Sequence, residues 1–303
     1  MGIDTLLLEE ESLGFARIER GRLVKGGRWY SPFETLAFKL PLGTLALLVA
    51  SGGFWTMRIR RWNLADAVVL TPAIALLAFL CANAPMNWAV RHALPALPFL
   101  FIAVGPVVRL AWNHRLARVA VIGCLAWNVY NDWSVRPGPL SFGNEFAGGP
   151  SGAQRRFLGS NFDWGQDLFR LKDWADRRPE ARPLVVSYFG VLGADKIGLK
   201  SDRLPATFHE GTSRQSSRGV FYWAVSSNLL NGLPGWIELD DGSEFLGTIH
   251  SPRLKPRAAI DRVGRTIFIF RVEPGPRGSS NLTFDDLTSC IAEPDRAAPT
   301  TSP

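Results

Sequence analysis

The stretch LADAVVLTPAIALLAFLCA, residues 64–82, carries a single charged side chain, that of Asp66 near its start. A helix needs about 20 mostly apolar residues to cross the hydrocarbon core of a bilayer. This stretch is apolar on every side, whereas the core helices of soluble proteins are usually amphipathic. It therefore predicts a transmembrane helix, and a buried helix of a soluble protein is the alternative.

Three further segments have the same character, residues 36–55, 93–108 and 116–130, of which the last is the shortest and the least apolar. Prolines such as Pro72 interrupt these segments, and membrane helices tolerate proline because neighbouring helices re-satisfy the freed carbonyls. We therefore expect about four transmembrane helices in the first half of the chain.

Composition and charge exclude several classes of protein. The chain has 303 residues, a formal net charge of +7 and three cysteines. Its arginines cluster in short loops beside apolar segments, as in RIRRW (58–62), which favours a role in membrane orientation over nucleic-acid binding. The odd cysteine count and the lack of ligand spacing indicate neither a disulfide framework nor a metal site.

The basic residues also predict the orientation. They concentrate after the first and third segments, so these loops are expected in the cytoplasm. Four spans then leave both termini outside, which conflicts with the basic stretch RIERGRLVKGGR (17–28). We expect further spans upstream of this chain. The alternative is that residues 116–130 do not span and the polar half is cytoplasmic.

The predicted fold is a membrane all-α region followed by a small extracytoplasmic α/β domain. Residues 182–190, 219–228 and 265–272 have the composition of buried strands, and 191–199 that of a short helix. The predicted organisation is an extracytoplasmic N-terminal segment (1–33), a transmembrane region (34–134), a linker (135–158), the α/β domain (159–274) and a disordered tail (275–303).

The stretch SNFDWGQDL (160–168) concentrates polar side chains directly after the linker. Asp163 and Gln166 match a capping box, and Asp167 would complement the helix dipole. A stripe of apolar residues follows at helical spacing: Trp164, Leu168, Leu171 and Ala175. The stretch therefore predicts the start of an amphipathic helix, and a functional site is the alternative.

Three cationic residues lie in or beside the predicted spans. Lys39 falls within the first span, and Arg91 and His92 precede the third, at its outer mouth. Ionisable groups inside a membrane are costly, so they are candidates for function. Cationic donors suit a phosphate group. The alternatives are that Lys39 extends to the interface and that the other two only anchor the helix there.

Several stretches together resemble one known family. They are GGRWYSPFETLAFKLPLG (26–43), RHALPALPFLFI (91–102), SFGNEFAGGPSGAQRRFLGSNFDWGQDL (141–168) and LVVSYFG (184–190). The chain resembles, over about residues 22–272, the C-terminal part of bacterial GT-C class membrane glycosyltransferases, which are related to the dolichyl-phosphate-mannose protein mannosyltransferases. It departs from the family pattern at Leu40, where threonine is usual, and at SFG, where the family has YF.

The resemblance implies transfer of a sugar from a polyprenyl phosphate on the extracytoplasmic side of the cell inner membrane. It implies a multi-pass protein whose partners are the bilayer and the lipid-linked sugar, with no other cofactor and no nucleic acid. The family's catalytic acidic loop has no counterpart here, since EEE (9–11) lies too close to the GGRWY element. We therefore expect an inactive C-terminal portion, with its catalytic residues unknown and with a separately encoded N-terminal half as a candidate partner.

The site residues follow from the same resemblance. Lys39, Arg91 and His92 are expected to bind the lipid phosphate. Sugar or acceptor contacts, or a bracing role for the domain, are expected for Asn161, Asp163, Gln166 and Asp167. Another hypothesis is a non-catalytic membrane subunit that presents an extracytoplasmic binding domain. A transporter fragment is less favoured, because the spans have few paired charges and no inverted repeat.

Overall fold

The computed structural model of the chain describes residues 16–19, 22–25, 28–83, 90–190, 192–203, 219–233, 235–238, 244–249, 258–273, 282–283 and 291–292. Contacts divide the chain into two compact units, and Val24–Arg156 makes up most of the first and Phe157–Pro303 most of the second. The first unit is helical. The second holds a small mixed sheet.

The main helices of the first unit are α1 (Ser31–Lys39), α2 (Leu42–Met57), α3 (Leu64–Ala82), α4 (Leu97–Trp112) and α5 (Arg115–Val135). The short turns Val90–Ala93 and Leu94–Ala96 lead directly into α4. Two short strands, β1 (Ala16–Glu19) and β2 (Arg22–Lys25), precede α1.

Within the described residues, two helices are long and apolar enough to cross a membrane. They are Leu64–Ala82, with 19 residues, and the continuous stretch Val90–Trp112, with 23 residues. Only 22% and 28% of their most apolar windows is buried, whereas a core helix of a soluble protein would be mostly buried. Helix α2 is apolar but shorter, and α5 is long but less apolar, so the four-span arrangement stays a prediction.

The predicted first span, residues 36–55, is not one helix. Helix α1 ends at Lys39 and α2 begins at Leu42, with Leu40 in an extended conformation (φ −86°, ψ 141°). The break has a direct cause at Pro41, which has no N–H and whose ring disfavours a helical conformation in the residue before it. The carbonyls at the end of α1 are therefore left without their usual helical partners.

Helices α2 and α5 approach closely at Gly43. A Cβ atom there would lie 2.2 Å from the carbonyl oxygen of Cys124, so only glycine fits without a shift. The amide of Thr44 donates to Oδ1 of Asn128 at 3.1 Å. Ser51 and Trp55 of α2 both donate to the carbonyl of Ala103 in α4. Close approach at a small residue and hydrogen bonds from polar side chains to a neighbouring helix both occur where membrane helices pack.

The predicted linker, residues 135–158, contains several short helical turns. These turns are Pro139–Ser141, Glu145–Ala147, Gly149–Gly152 and Ala153–Arg155. Ser141, Asn144 and Ala147 are buried in the first unit. The division between the units falls after Arg156, inside this stretch.

The second unit contains a sheet with the strand order β3-β4-β8-β7, and β9 pairs with β8. The strands are β3 (Leu184–Ser187), β4 (Phe221–Ser226), β7 (Asp261–Val263), β8 (Ile267–Glu273) and β9 (Leu282–Thr283). Strands β3 and β4 are parallel, and β8 is antiparallel to both β4 and β7. The three strands predicted around residues 182–190, 219–228 and 265–272 are thus confirmed.

A second, antiparallel sheet has the order β10-β6-β5, built from β5 (Gly235–Glu238), β6 (Glu244–Ile249) and β10 (Ile291–Ala292). Strands β9 and β10 fall within residues 275–303, where a disordered tail was predicted. The remainder of that predicted tail lies outside the described residues. The predicted helix at 191–199 is a short 3-10 turn, Ala194–Ile197.

Helix α6 (Leu168–Asp176) covers one face of the first of these sheets. Its buried side chains pack with residues of the sheet strands in one apolar cluster, which includes Leu168, Leu171, Trp174, Ala175, Leu184, Ala224, Ile267 and Ile269. The predicted stripe is therefore confirmed at Leu168, Leu171 and Ala175. It is wrong at Trp164, which precedes the helix and is 52% exposed.

Candidate functional site

In the first unit, the segment after α5 closes the free end of α1. The side-chain amide of Asn144 donates to the carbonyls of Ala37 (2.6 Å) and Leu40 (2.8 Å), and its backbone N–H donates to that of Phe38 (2.9 Å). The Asn144 Oδ1 atom accepts the amides of Phe146 and Ala147. One buried asparagine thus satisfies the carbonyls that the Pro41 break leaves open.

Lys39 is the last residue of α1 and belongs to the same arrangement. Its Nζ atom donates to the carbonyl of Leu140 at 2.8 Å. This bond orients the ammonium group, which carries three N–H donors. The ring of Phe38 packs against the guanidinium of Arg156, whose carbon lies 4.3 Å from the ring centroid.

The other two predicted phosphate-binding residues lie on a neighbouring element. Arg91, which is exposed, and His92, which is half-buried, form part of the turn Val90–Ala93. This turn contacts α1, and Ala93 belongs to a buried cluster with Leu36 and Leu40. The structure therefore brings together the elements that carry Lys39, Arg91 and His92.

In the second unit, Asp163 sits in a loop that ties α6 to the end of β4. Its Oδ1 atom accepts the amide of Gly165 (3.0 Å), and its Oδ2 atom accepts the hydroxyl of Ser226 (2.5 Å). Asn228 donates to the carbonyl of Asp163 and accepts the amide of Gly159. The prediction that Asp163 caps the following helix is wrong, because that helix begins only at Leu168.

The carboxyl group of Asp163 is only 1% exposed. Burial raises the pKa of Asp163 to about 6, against the opposing effect of the hydrogen bonds from Ser226 and Gly165, and the negative charge of Asp167 adds to the rise. A carboxyl group with this pKa exchanges a proton near neutral pH, which is the range that suits general acid–base chemistry. In this structure its oxygens face Gly165 and Ser226.

Asp167 has a different set of partners, at the turn between β7 and β8. Its Oδ2 atom accepts the amides of Arg265 (2.7 Å) and Thr266 (3.0 Å) and the hydroxyl of Thr266 (3.0 Å). Its Oδ1 atom accepts Nη1 of Arg170 at 3.0 Å. The carboxylate is 1% exposed, so it ties α6 to the β7–β8 turn. The residue precedes α6 but makes no side-chain capping bond.

The close approach at Asp167 depends on one glycine. Gly264 has φ +59°, and a Cβ atom there would lie 2.1 Å from the carboxyl carbon of Asp167. Neither the conformation nor the space suits another residue.

The remaining predicted contact residues also bond within the second unit. Gln166 donates to the carbonyl of Phe162 and accepts the amide of Trp164. Asn161 ends the turn Gly159–Asn161 and is half-buried. The Trp164 ring lies 5.7 Å from that of Phe189, just beyond β3. The exposed Trp164 and the half-buried Phe189 therefore lie beyond the carboxyl end of a parallel strand, where open α/β sheets commonly bind ligands.

Sequence reasoning missed Asn144, Ser226, Asn228 and Gly264. The polar run SSN directly after a buried strand was the available signal for Ser226 and Asn228. Among the residues that the structure describes, no group of three His, Cys, Asp or Glu side chains is arranged to hold a metal ion. No known protein family, curated protein or solved structure matches this chain.

Proposed function

We propose that this chain is the C-terminal portion of a polyprenyl-phosphate-sugar-dependent membrane glycosyltransferase of the GT-C class. In this proposal four helices span the cell inner membrane, and the second unit lies on the extracytoplasmic side. The two long apolar helices, with most of their apolar surface exposed, support the membrane assignment. The stretches that resemble the family support the class of reaction.

One contact carries the proposal. Asn144, in the stretch SFGNEFAGGP, bonds to the carbonyls of Ala37 and Leu40, in the stretch AFKLP. The resemblance rests on both stretches, which are about a hundred residues apart in the chain. Their contact gives the two stretches a common role, because together they build and close the helix end on which Lys39 lies.

The proposed binding site for the lipid phosphate consists of Lys39, Arg91 and His92. These residues lie on α1 and on the turn that packs against it. Cationic donors next to an apolar helix suit a ligand with a phosphate head and a hydrocarbon chain, because charge-assisted hydrogen bonds hold the head while the chain stays in lipid. In the complete enzyme, an acidic residue of the N-terminal half acts as the base or binds the acceptor.

A photoreactive polyprenyl phosphate tests this proposal on the full chain in lipid nanodiscs. We expect labelling that excess polyprenyl phosphate competes away and that uncharged polyprenol does not. Lys39→Ala and Arg91→Ala should each reduce labelling by about tenfold, the loss of one hydrogen bond to a charged group. Arg60→Ala, an exposed cation in another loop, is the matched control and should leave labelling unchanged. Equal labelling of all four proteins would contradict the proposal.

A second candidate is a non-catalytic membrane subunit whose second unit binds a partner. The observation that favours it is the aromatic pair Trp164 and Phe189 beside an inwardly bonded Asp163. In this case the loop of residues 160–168 is a brace, and the exposed Trp164 ring, packed on Phe189, forms the contact surface. The labelling experiment separates the two, since this subunit requires no polyprenyl phosphate. Protein that stays membrane-bound but takes up no label would favour the subunit.

A further inference from the structure

Helices α2 and α4 run in the same direction through the first unit. Leu45, near the start of α2, packs in the same apolar cluster as Leu97, at the start of α4. Further along, the ring N–H of Trp55 donates to the carbonyl of Ala103 at 2.9 Å. The carboxyl ends of α2 and α4 therefore lie at the same end of the unit, and α5 begins there because it follows α4 directly.

Arginines from separate parts of the chain lie at this end. They come from the turn that follows α2, from the last turn of α4 and from the start of α5, and we call them the arginine surface: Arg58, Arg60, Arg61, Arg109, Arg115 and Arg118. Arg118 is half-buried and the others are exposed, so their side chains are accessible to a ligand.

The arginine surface lacks paired negative charge within the described part of the chain. No described carboxylate forms an ion pair with any of its guanidinium groups. Asp66, near the start of α3, bonds instead to the backbone amide of Asn63 at 3.1 Å as part of a capping box. Arginine keeps its charge at physiological pH, so this end of the unit stays positive.

Two of these arginines lie where helix electrostatics disfavour them. Arg115 and Arg118 begin α5, and the first turn of α5 holds no acidic residue. The amino end of a helix carries partial positive charge, so a cation there is unfavourable. The needs of the helix therefore do not account for these two residues, whereas an anion outside the chain would stabilise both of them and the helix end.

Large apolar side chains are exposed beside the arginines. Met57 is 90% exposed and Leu116 is 87% exposed, and Ile59 and Leu64 are exposed as well. Guanidinium groups next to exposed apolar side chains suit the boundary of a bilayer, where the charges reach the headgroups and the apolar groups enter the hydrocarbon. A nucleic acid would match the arginines but would leave these apolar side chains in water.

We propose that the arginine surface binds the phosphates of anionic phospholipid headgroups in the leaflet that it faces. Guanidinium groups bind phosphate through charge-assisted, paired hydrogen bonds, and an anionic leaflet attracts basic residues next to a span. The proposal rests on the membrane arrangement proposed above. It adds a class of lipid that the proposed polyprenyl-phosphate site does not require.

The test measures which lipid the full chain retains in a neutral detergent. The protein is incubated with equal amounts of dioleoyl phosphatidylglycerol and dioleoyl phosphatidylcholine, and native mass spectrometry gives the ratio of the two bound lipids. Because the acyl chains are identical, this ratio reports the headgroup alone. We expect phosphatidylglycerol to be preferred by about tenfold or more, since one arginine near an anionic surface contributes about fivefold.

Two triple variants test the two halves of the arginine surface separately. One combines Arg58→Gln, Arg60→Gln and Arg61→Gln, and the other combines Arg109→Gln, Arg115→Gln and Arg118→Gln. Each should lower the ratio by about fivefold or more. Circular dichroism checks that both fold, and a triple variant that does not fold is replaced by Arg61→Gln or Arg115→Gln alone.

The matched control combines Arg155→Gln, Arg177→Gln and Arg271→Gln, three exposed arginines elsewhere in the chain. It should keep the ratio of the unaltered protein. A ratio near one in the unaltered protein, an equal loss in the control, or a loss in only one of the two halves would overturn the proposal and leave the membrane arrangement in place. Failure to retain either lipid would overturn both. Labelling by polyprenyl phosphate should persist in both triple variants, so the two proposals can fail separately.

Discussion

Replacing Asp163 by asparagine tests the energetic role of the buried carboxyl group. An unperturbed aspartate has a pKa of about 3.9. The pKa of Asp163 is about 6 in the folded protein, chiefly because of burial. The folded state therefore holds the proton more tightly than the unfolded state does. The stabilisation from this group is complete below about pH 4 and is lost as the pH rises through about 6.

The expected change in stability follows from the size of the pKa shift of Asp163. Two pKa units correspond to about 3 kcal/mol of unfolding free energy, since one unit is about 1.4 kcal/mol. Asparagine has nearly the same shape and no charge. Its oxygen can accept the Gly165 amide and its amide can donate to Ser226, the two partners of the carboxyl group. We therefore expect Asp163→Asn to match the unaltered protein near pH 4 and to exceed its stability above pH 6.5, by up to about 3 kcal/mol.

Hydrogen exchange of the full chain in detergent, read on peptides from residues 157–170 between pH 4 and pH 7.5, measures the local opening free energy. Asp202→Asn is the matched control, because Asp202 is an exposed carboxylate that accepts the Leu184 amide. Parallel pH curves for the unaltered protein and Asp163→Asn would refute the reasoning. So would a loss of stability in the variant at every pH, since that would mean that the folded state prefers the ionised carboxylate.

Three further predictions concern the elements around the two sites. Gly264→Ala should destabilise the protein by about 2–4 kcal/mol, because its Cβ atom would overlap the carboxyl group of Asp167 at a positive φ. Thermal unfolding measures this loss. Gly219→Ala is the control, since the added atom there meets nothing within 4 Å. Asn144→Ala should cost about 2–3 kcal/mol in the same assay, because the carbonyls of Ala37 and Leu40, at the end of α1, lose their donor. An unchanged melting temperature would show that water replaces the amide. A tag fused after Pro303 should be cleaved by protease added outside the inner membrane of intact spheroplasts, and a protected tag would contradict the proposed orientation.

In the loop of residues 160–168, a pattern was recognised correctly in the sequence, but the role predicted from it for Asp163 was wrong. Asp163 and Gln166 have the spacing of a capping box, and the apolar residues that follow do form a helix. Capping boxes are local, so the pattern can be recognised from the sequence. The partners that Asp163 and Asp167 use lie 63 and 99 residues away, in Ser226 and Thr266. Contacts between residues so far apart in the chain follow no fixed spacing, so the sequence alone does not predict them.

The predicted first span shows the same limit in the membrane part. Its apolar composition was recognised, and Pro41 was visible inside it. Proline is tolerated within other helices of this unit, at Pro72 and Pro106. At Pro41 the helix breaks, and Asn144 supplies donors to the carbonyls that the break exposes. A proline-induced break is stable where another part of the chain donates hydrogen bonds to the exposed carbonyls, and that partner is known only from the fold.

The sequence by itself determined the long apolar helices, strands β3, β4 and β8, and the apolar face of α6. Each of these follows from the composition or the periodicity of one continuous segment. Only the tertiary structure decided that Asp163 and Asp167 face inward and that Asn144 closes α1. The physical reason is that a buried polar group takes its partners from whatever the fold brings within about 3 Å, and that distance in space bears no fixed relation to distance along the chain.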